Sequence, residues 1–277
     1  MPDIWSDWLN HTRFTAATTS EAQEALAFIA GIRQRLLRAA APEPGQTVLE
    51  LGCGTGEFLP TLLTAVGPQG SVLALDISAD LLAQAQAAMA SHPLAHRVQW
   101  LHADMAALPV EPAGVDAIVA RSVLQYAEAS LPRVAAGLAR VLRPGGRLAA
   151  FELLHGDSTP LLPTRPAGPT AAALRRWHQL PFALGRDALE AAFTPELFCP
   201  LELEAHTSTW RQPANAATLE RALQALPRPG CPPLGAVYGT ELSDLLLRSD
   251  GCVQERGAWC FLTATRTVHP ALHAHHA

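Results

Sequence analysis

Apolar residues recur at helical spacing (Leu26, Ile29, Leu36, Leu37) and predict a helix over residues 21–41. Ser20 and Gln23 form a capping-box pattern at its start, and Pro42 and Pro44-Gly45 end it. A regular alternation follows. Short apolar runs at 47–51, 71–75, 98–102, 115–120 and 147–154 read as buried strands. Helical patterns fill the gaps at 57–66, 79–90 and 131–142. Pro60 is tolerated in the first turn of the first of these, Ser78 caps the second, and Pro144-Gly145-Gly146 closes the third. Strands separated by helices predict a doubly wound, mostly parallel α/β sheet of about seven strands with helical additions. The second half is less regular. Residues 156–170 hold four prolines and read as a loop or cover. Short helices are expected at 174–180 and 186–193, further helical stretches at 218–226 and 241–247, a sixth strand at 201–210 and a closing strand at 257–266.

Composition narrows this picture. Over 277 residues, 49% are hydrophobic and 16% charged, which is globular and not disordered. No apolar run is long enough to span a bilayer, and the N-terminal residues lack the basic and apolar regions of a signal peptide. Cys53, Cys199, Cys231, Cys252 and Cys260 are scattered with no C-x-x-C pair, so a reducing, cytoplasmic setting is expected. The net charge of −5 argues against a nucleic-acid partner. All 20 basic residues are arginine. Without lysine there is no P-loop lysine and no Schiff-base amine.

The strongest chemical signal is Glu50-Leu51-Gly52-Cys53-Gly54-Thr55-Gly56, where the first strand turns toward the first helix of the alternation. Glycines there let a ligand approach the backbone, and the helix that follows offers free N–H groups. The spacing is G-x-G-x-G rather than the G-x-G-x-x-G of dinucleotide sites. Asp76 ends the second strand 20 residues after Gly56, where a carboxylate can accept both hydroxyls of a ribose. ELGCGTG followed by ALDIS resembles the glycine loop and ribose acid of class I S-adenosylmethionine methyltransferases. His102-Ala103-Asp104-Met105 after the third strand, Arg121-Ser122-Val123-Leu124-Gln125-Tyr126 after the fourth, and the RVLRPGGRL turn before the fifth are similar in order and spacing from about residue 45 to 154. The start of the chain, FELL and the late GAWCFLTATR also look like a set of bacterial methyltransferases of unassigned substrate.

The resemblance implies a SAM-binding core at 46–155, an N-terminal cover and first helix at 1–45, completion of the sheet with lid and insertions at 156–268, and a disordered tail at 269–277. It implies S-adenosyl-L-methionine as cofactor and S-adenosyl-L-homocysteine as product. Gly52, Gly54 and Gly56 would lie under the methionine and ribose, with Cys53 a small packing residue in the same loop. Glu50 would hold the loop or reach the amino group, and Asp76 would bind the ribose diol. Ile77, Asp104 and Met105 would form the adenine site, and Arg121 and Ser122 would face the methionine. Arg13 is a candidate for a bidentate pair with the methionine carboxylate.

The acceptor would be a small molecule, with no nucleic acid or membrane partner and with the oligomeric state open. His155 and Tyr126 are candidate catalytic residues, with Glu152 near them at the end of the fifth strand; His178 is a weaker one. Arg165, Arg175, Arg176 and Trp177 form a candidate lid. An alternative is a non-catalytic protein that binds SAM or its product and acts through partners. A special case, arsenite methylation, would need Cys199, Cys231, Cys252 and Cys260 to converge.

Overall fold

The computed structural model describes residues 3–7, 9–10, 19–157, 159–161, 184–213 and 252–268. The expectations for Arg13, the 165–178 lid, residues 218–226 and 241–247, and the tail lie outside them. The strands are β1 (Thr47–Leu51), β2 (Ser71–Asp76), β3 (Val98–His102), β4 (Val115–Arg121), β5 (Leu142–Leu153), β6 (Thr159–Leu161), β7 (Phe198–Pro213) and β8 (Cys252–Arg266). The helices are α1 (Ile4–Asp7), α2 (Thr19–Ala40), α3 (Leu59–Val66), α4 (Ala79–Met89), α5 (Leu131–Val141) and α6 (Arg186–Ala192).

Strands β3-β2-β1-β4-β5 pair in that order, all parallel. β8 joins β5 antiparallel, with Ala150 opposite Leu262. Leu203 of β7 also faces Leu262, so β7 must occupy the other edge of β8. The short β6 pairs with Gln254–Arg256, residues that β7 also contacts, so it continues the line of β5. Seven strands therefore cross the sheet, and β8 alone runs against the rest, so its pairings with β5 and β7 are both antiparallel. Thr159–Leu161 was expected as loop; it is recruited because β8 runs on past the end of β5 and leaves a free edge.

The strands read as continuous apolar runs because both faces of the sheet are covered. Successive residues point to opposite faces. Leu49, Leu51, Ile118 and Ala120 enter one core with α5 and α6. Val48, Ala117, Val119 and Phe151 enter the other with α2, α3 and α4.

Local signals behave unevenly. Ser78 Oγ accepts from Leu81 N at 3.0 Å and caps α4, and Pro60 sits in the first turn of α3. Ser20, expected at the start of α2, lies within it. α2 stops where Ala41 turns to φ +42. β5 begins at Leu142, ahead of the expected start at residue 147, because Leu142 already pairs with Val115; Gly145, at φ +75, lies in the irregular stretch between that pair and Arg147. Among the described residues no helix is long and apolar enough to cross a membrane, and no group of His, Cys, Asp or Glu is placed to hold a metal.

Candidate active site

A cavity of about 430 Å³ opens at the carboxyl ends of β1, β2, β4 and β5. The glycine loop forms its floor. Gly52 N and Cys53 N both donate to Leu75 O, at 2.8 and 2.9 Å, which folds the loop over the end of β2. Gly52 has φ +70, and a Cβ there would meet Val123 Cγ2 at 2.7 Å. Gly54 has φ +54 and faces Leu9 of the N-terminal segment. Both line the cavity; Gly56 does not. A Cβ on Gly56 would lie 2.9 Å from Ala85 Cβ, so this glycine lets the loop pack against α4.

Two carboxylates frame the loop. Asp76 Oδ2 accepts from Gly54 N at 2.8 Å and Oδ1 from Ser78 N at 3.0 Å. Each oxygen keeps acceptor capacity toward the cavity. Burial pushes the Asp76 carboxyl upward against those hydrogen bonds. Glu50 is buried, and its Oε2 has no hydrogen-bond partner in the protein. Burial pushes its pKa up to about 8, against the pull of Arg33 and Arg121. An orphaned buried carboxylate oxygen beside a glycine loop is a place for a cationic donor.

Past β2, Ile77 is 48% exposed, unusual for isoleucine, and it lines the cavity with Asp104 and Met105. Asp104 Oδ1 accepts from Ala106 N at 2.8 Å. This is an apolar shelf bordered by a carboxylate. Burial raises the pKa of Cys53, which keeps its thiol protonated and removes it as a nucleophile.

Ser122, at φ +55, starts the turn after β4 and lines the cavity with Arg121, Gln125, Tyr126 and, from beyond β5, His155. Glu152, also a candidate, is fully buried and is not among the residues that line the cavity. Its carboxylate accepts from Val123 N, Leu124 N and Gln125 N at 3.0, 3.0 and 3.2 Å. It clamps the turn.

The sequence reading missed three features. Arg33 of α2 lines the cavity and pairs with Glu57, which also lines it. Its helical position gave no hint, because which residue of α2 faces the cavity depends on how the helix docks. An N-terminal cover was expected, but not its contacts: Asp3 Oδ2 accepts from Ser78 Oγ at 2.5 Å, and Trp5 meets Tyr126 edge-on at 4.6 Å. Gln125, inside the motif already noted, went unremarked. Of the arsenite set, Cys199 adjoins the residue paired with Arg266, whereas Cys252 faces Pro213. Those two lie about 45 Å apart along β8 at 3.3 Å per residue and do not converge.

The comparisons agree with this geometry. A family model described as a methyltransferase domain matches residues 48–146, the span from β1 into β5. That stretch of the chain is similar to methyltransferase domains. Nocamycin O-methyltransferase of Saccharothrix syringae is 34% identical over 169 residues, 61% of this chain and 54% of that one. A 2-phytyl-1,4-naphtoquinone methyltransferase of Thermosynechococcus vestitus is 33% identical over 117 residues, 42% of this chain and 50% of that one. The matched stretch thus spans about half the length of these relatives. In fold, a solved Bacillus halodurans protein superposes with TM-score 0.56 at 18% identity, covering 85% of this chain and 99% of that one. Geranyl diphosphate C-methyltransferase of Streptomyces coelicolor gives TM-score 0.51 at 13% identity, over 86% and 77%. The relatives that match are named for acceptors that differ widely.

Proposed function

We propose that the protein transfers a methyl group from S-adenosylmethionine to a small-molecule acceptor. The observation that carries this reading is the orphaned Glu50 Oε2 in a glycine-floored cavity that also holds Asp76 and the exposed Ile77. Bound there, S-adenosylmethionine supplies a sulfonium methyl open to in-line displacement by an O, N, S or C nucleophile, with S-adenosylhomocysteine leaving.

The chain's own residues bind and orient. Glu50 accepts from the amino group of the methionine moiety, and Arg33, released from Glu57, pairs with its carboxylate. Arg33 thereby takes the role the sequence suggested for Arg13. Asp76 accepts from the ribose hydroxyls, while Ile77 and Met105 pack on the adenine and Asp104 receives its amine. Ser122 and Arg121 close the methionine end. The methyl donor is already activated, so positioning supplies most of the rate. Where the nucleophile must lose a proton, His155 accepts it; Tyr126 shapes the same wall. The free thiols of Cys53, Cys199 and Cys260 fit the reducing, cytoplasmic setting expected.

A thermal unfolding scan with SAM, S-adenosylhomocysteine and NADH in parallel tests the reading. A ligand at about 100 times its Kd adds roughly 2.7 kcal/mol to the folded state. At about 2–4 °C per kcal/mol, the midpoint rises by several degrees. The expected result is a rise with both adenosyl ligands and none with NADH. No rise with either adenosyl ligand, on protein stripped of bound cofactor, overturns the reading. A rise without methyl transfer to any small acceptor would leave a binding protein that acts through partners.

A further inference from the structure

One polar group at the cavity has no role in the reading above. Gln125 is 2% exposed and lines the cavity. Its Nε2 donates to Ser122 O at 3.3 Å. A carbonyl can only accept, so this contact fixes which end of the amide is nitrogen. The other end, Oε1, is therefore a carbonyl oxygen, and it has no partner in the protein. The amide is held in place: the Gln125 backbone N–H is bound by Glu152 Oε2 at 3.2 Å, and the N–H groups of Val123 and Leu124 are bound by Oε1 of the same carboxylate. A rigid, buried, unpaired acceptor costs the folded protein stability unless a ligand brings it a donor.

The fold indicates which ligand. The groups assigned to ribose and adenine stand at the ends of β2 and β3. Gln125 follows β4, which lies beyond β1 from them, and shares its wall with Tyr126, Ala127 and, from the end of β5, Leu153 and His155. Tyr126, Ala127 and Leu153 give that wall an apolar, aromatic part beside the polar His155 and Ser130, with Trp5 edge-on to Tyr126.

We propose that Gln125 is a specificity-determining residue: its side-chain oxygen accepts a hydrogen bond from an O–H or N–H of the methyl acceptor, which is a neutral, ring-bearing molecule. The same oxygen repels a carboxylate or phosphate placed against it. This rests on the methyl-transfer reading and extends it to the acceptor.

Phenol and anisole serve as probes, because they share a ring and only phenol carries a donor. Their binding to protein saturated with S-adenosylhomocysteine is measured by calorimetry or ligand-observed NMR. Phenol is expected to bind tighter than anisole by about three- to tenfold, the range of one net hydrogen bond. Gln125→Met keeps the volume and removes the acceptor; it is expected to bring the two ligands level while leaving affinity for S-adenosylhomocysteine unchanged, which also reports a folded site. If that variant fails to fold, Gln125→Asn, which withdraws the amide by one methylene, is expected to level the pair in the same way. Equal binding of the two probes to the unaltered protein, or binding of neither at millimolar concentration, overturns the proposal. So does a tenfold loss of S-adenosylhomocysteine affinity in Gln125→Met, which would give the oxygen to the cofactor. Failure of the unaltered protein to bind S-adenosylhomocysteine would instead strike the methyl-transfer reading.

Discussion

Glu50 shows how one side chain links burial to binding. Burial pushes its pKa up to about 8, so the free protein holds this carboxyl protonated at neutral pH. An ammonium group arriving at Oε2 favours the ionised form, and binding then releases a proton. The affinity for S-adenosylhomocysteine is expected to rise with pH up to about 8, by at most about tenfold per unit, and then level. Glu50→Gln is expected to bind more weakly and with no such rise; calorimetry in buffers of different ionisation heat checks both. An unchanged slope in the variant would assign the proton elsewhere. The sign for stability is opposite. The folded-state pKa lies above the unfolded value of about 4.5, so the folded form holds the proton longer. This contribution is complete below that value and is lost as pH rises through 8. Without ligand, Glu50→Gln should therefore gain Tm relative to the unaltered protein at pH 8 and not at pH 4.

At the scale of elements, the turn after β4 carries the acceptor wall, and β5 holds it through Glu152. Ser122 at φ +55 is a costly conformation for a residue with a side chain, and three N–H bonds to one carboxylate offset that cost. Burial pushes the Glu152 pKa up to about 7, against those three hydrogen bonds. Glu152→Gln leaves one oxygen and turns an NH₂ toward an N–H. Amide exchange at Val123, Leu124 and Gln125 is expected to quicken by roughly tenfold or more, the cost of an unmet buried donor, while β1 and β2 keep their protection. Uniform loss of protection would make Glu152 a global stabiliser and not a local clamp. FELL marked Glu152 as interesting but not which way it points. A period-2 strand gives the face of a residue, whereas the partner of a side chain near a strand end depends on the turn next door. The same limit separates Gly52 and Gly54, which floor the cavity, from Gly56, which packs on Ala85. The G-x-G-x-G spacing located all three, and only the docking of α4 divides them.

For the whole molecule, the sheet separates two cores, and α2, the helix that carries Arg33, packs in only one of them. The strand–helix alternation made the parallel core legible, because strands buried on both faces read as plain apolar runs. The contacts of the N-terminal segment and the docking of α2 were not legible; they are made by residues distant in sequence. Arg33 faces the cavity on the same helix that buries Leu36 in the core shared with α3, and Leu36 is 1% exposed. Leu138 of α5 is equally buried on the opposite face. Leu36→Ala and Leu138→Ala should each cost about 2–5 kcal/mol and lower Tm by comparable amounts. Their effects on binding should differ. Loosening α2 moves Arg33, so Leu36→Ala is expected to weaken S-adenosylhomocysteine binding below its unfolding temperature, whereas Leu138→Ala should leave it near that of the unaltered protein. Equal affinity in both variants would mean that Arg33 is held by Glu57 alone, and that the helix beneath it does not position the site.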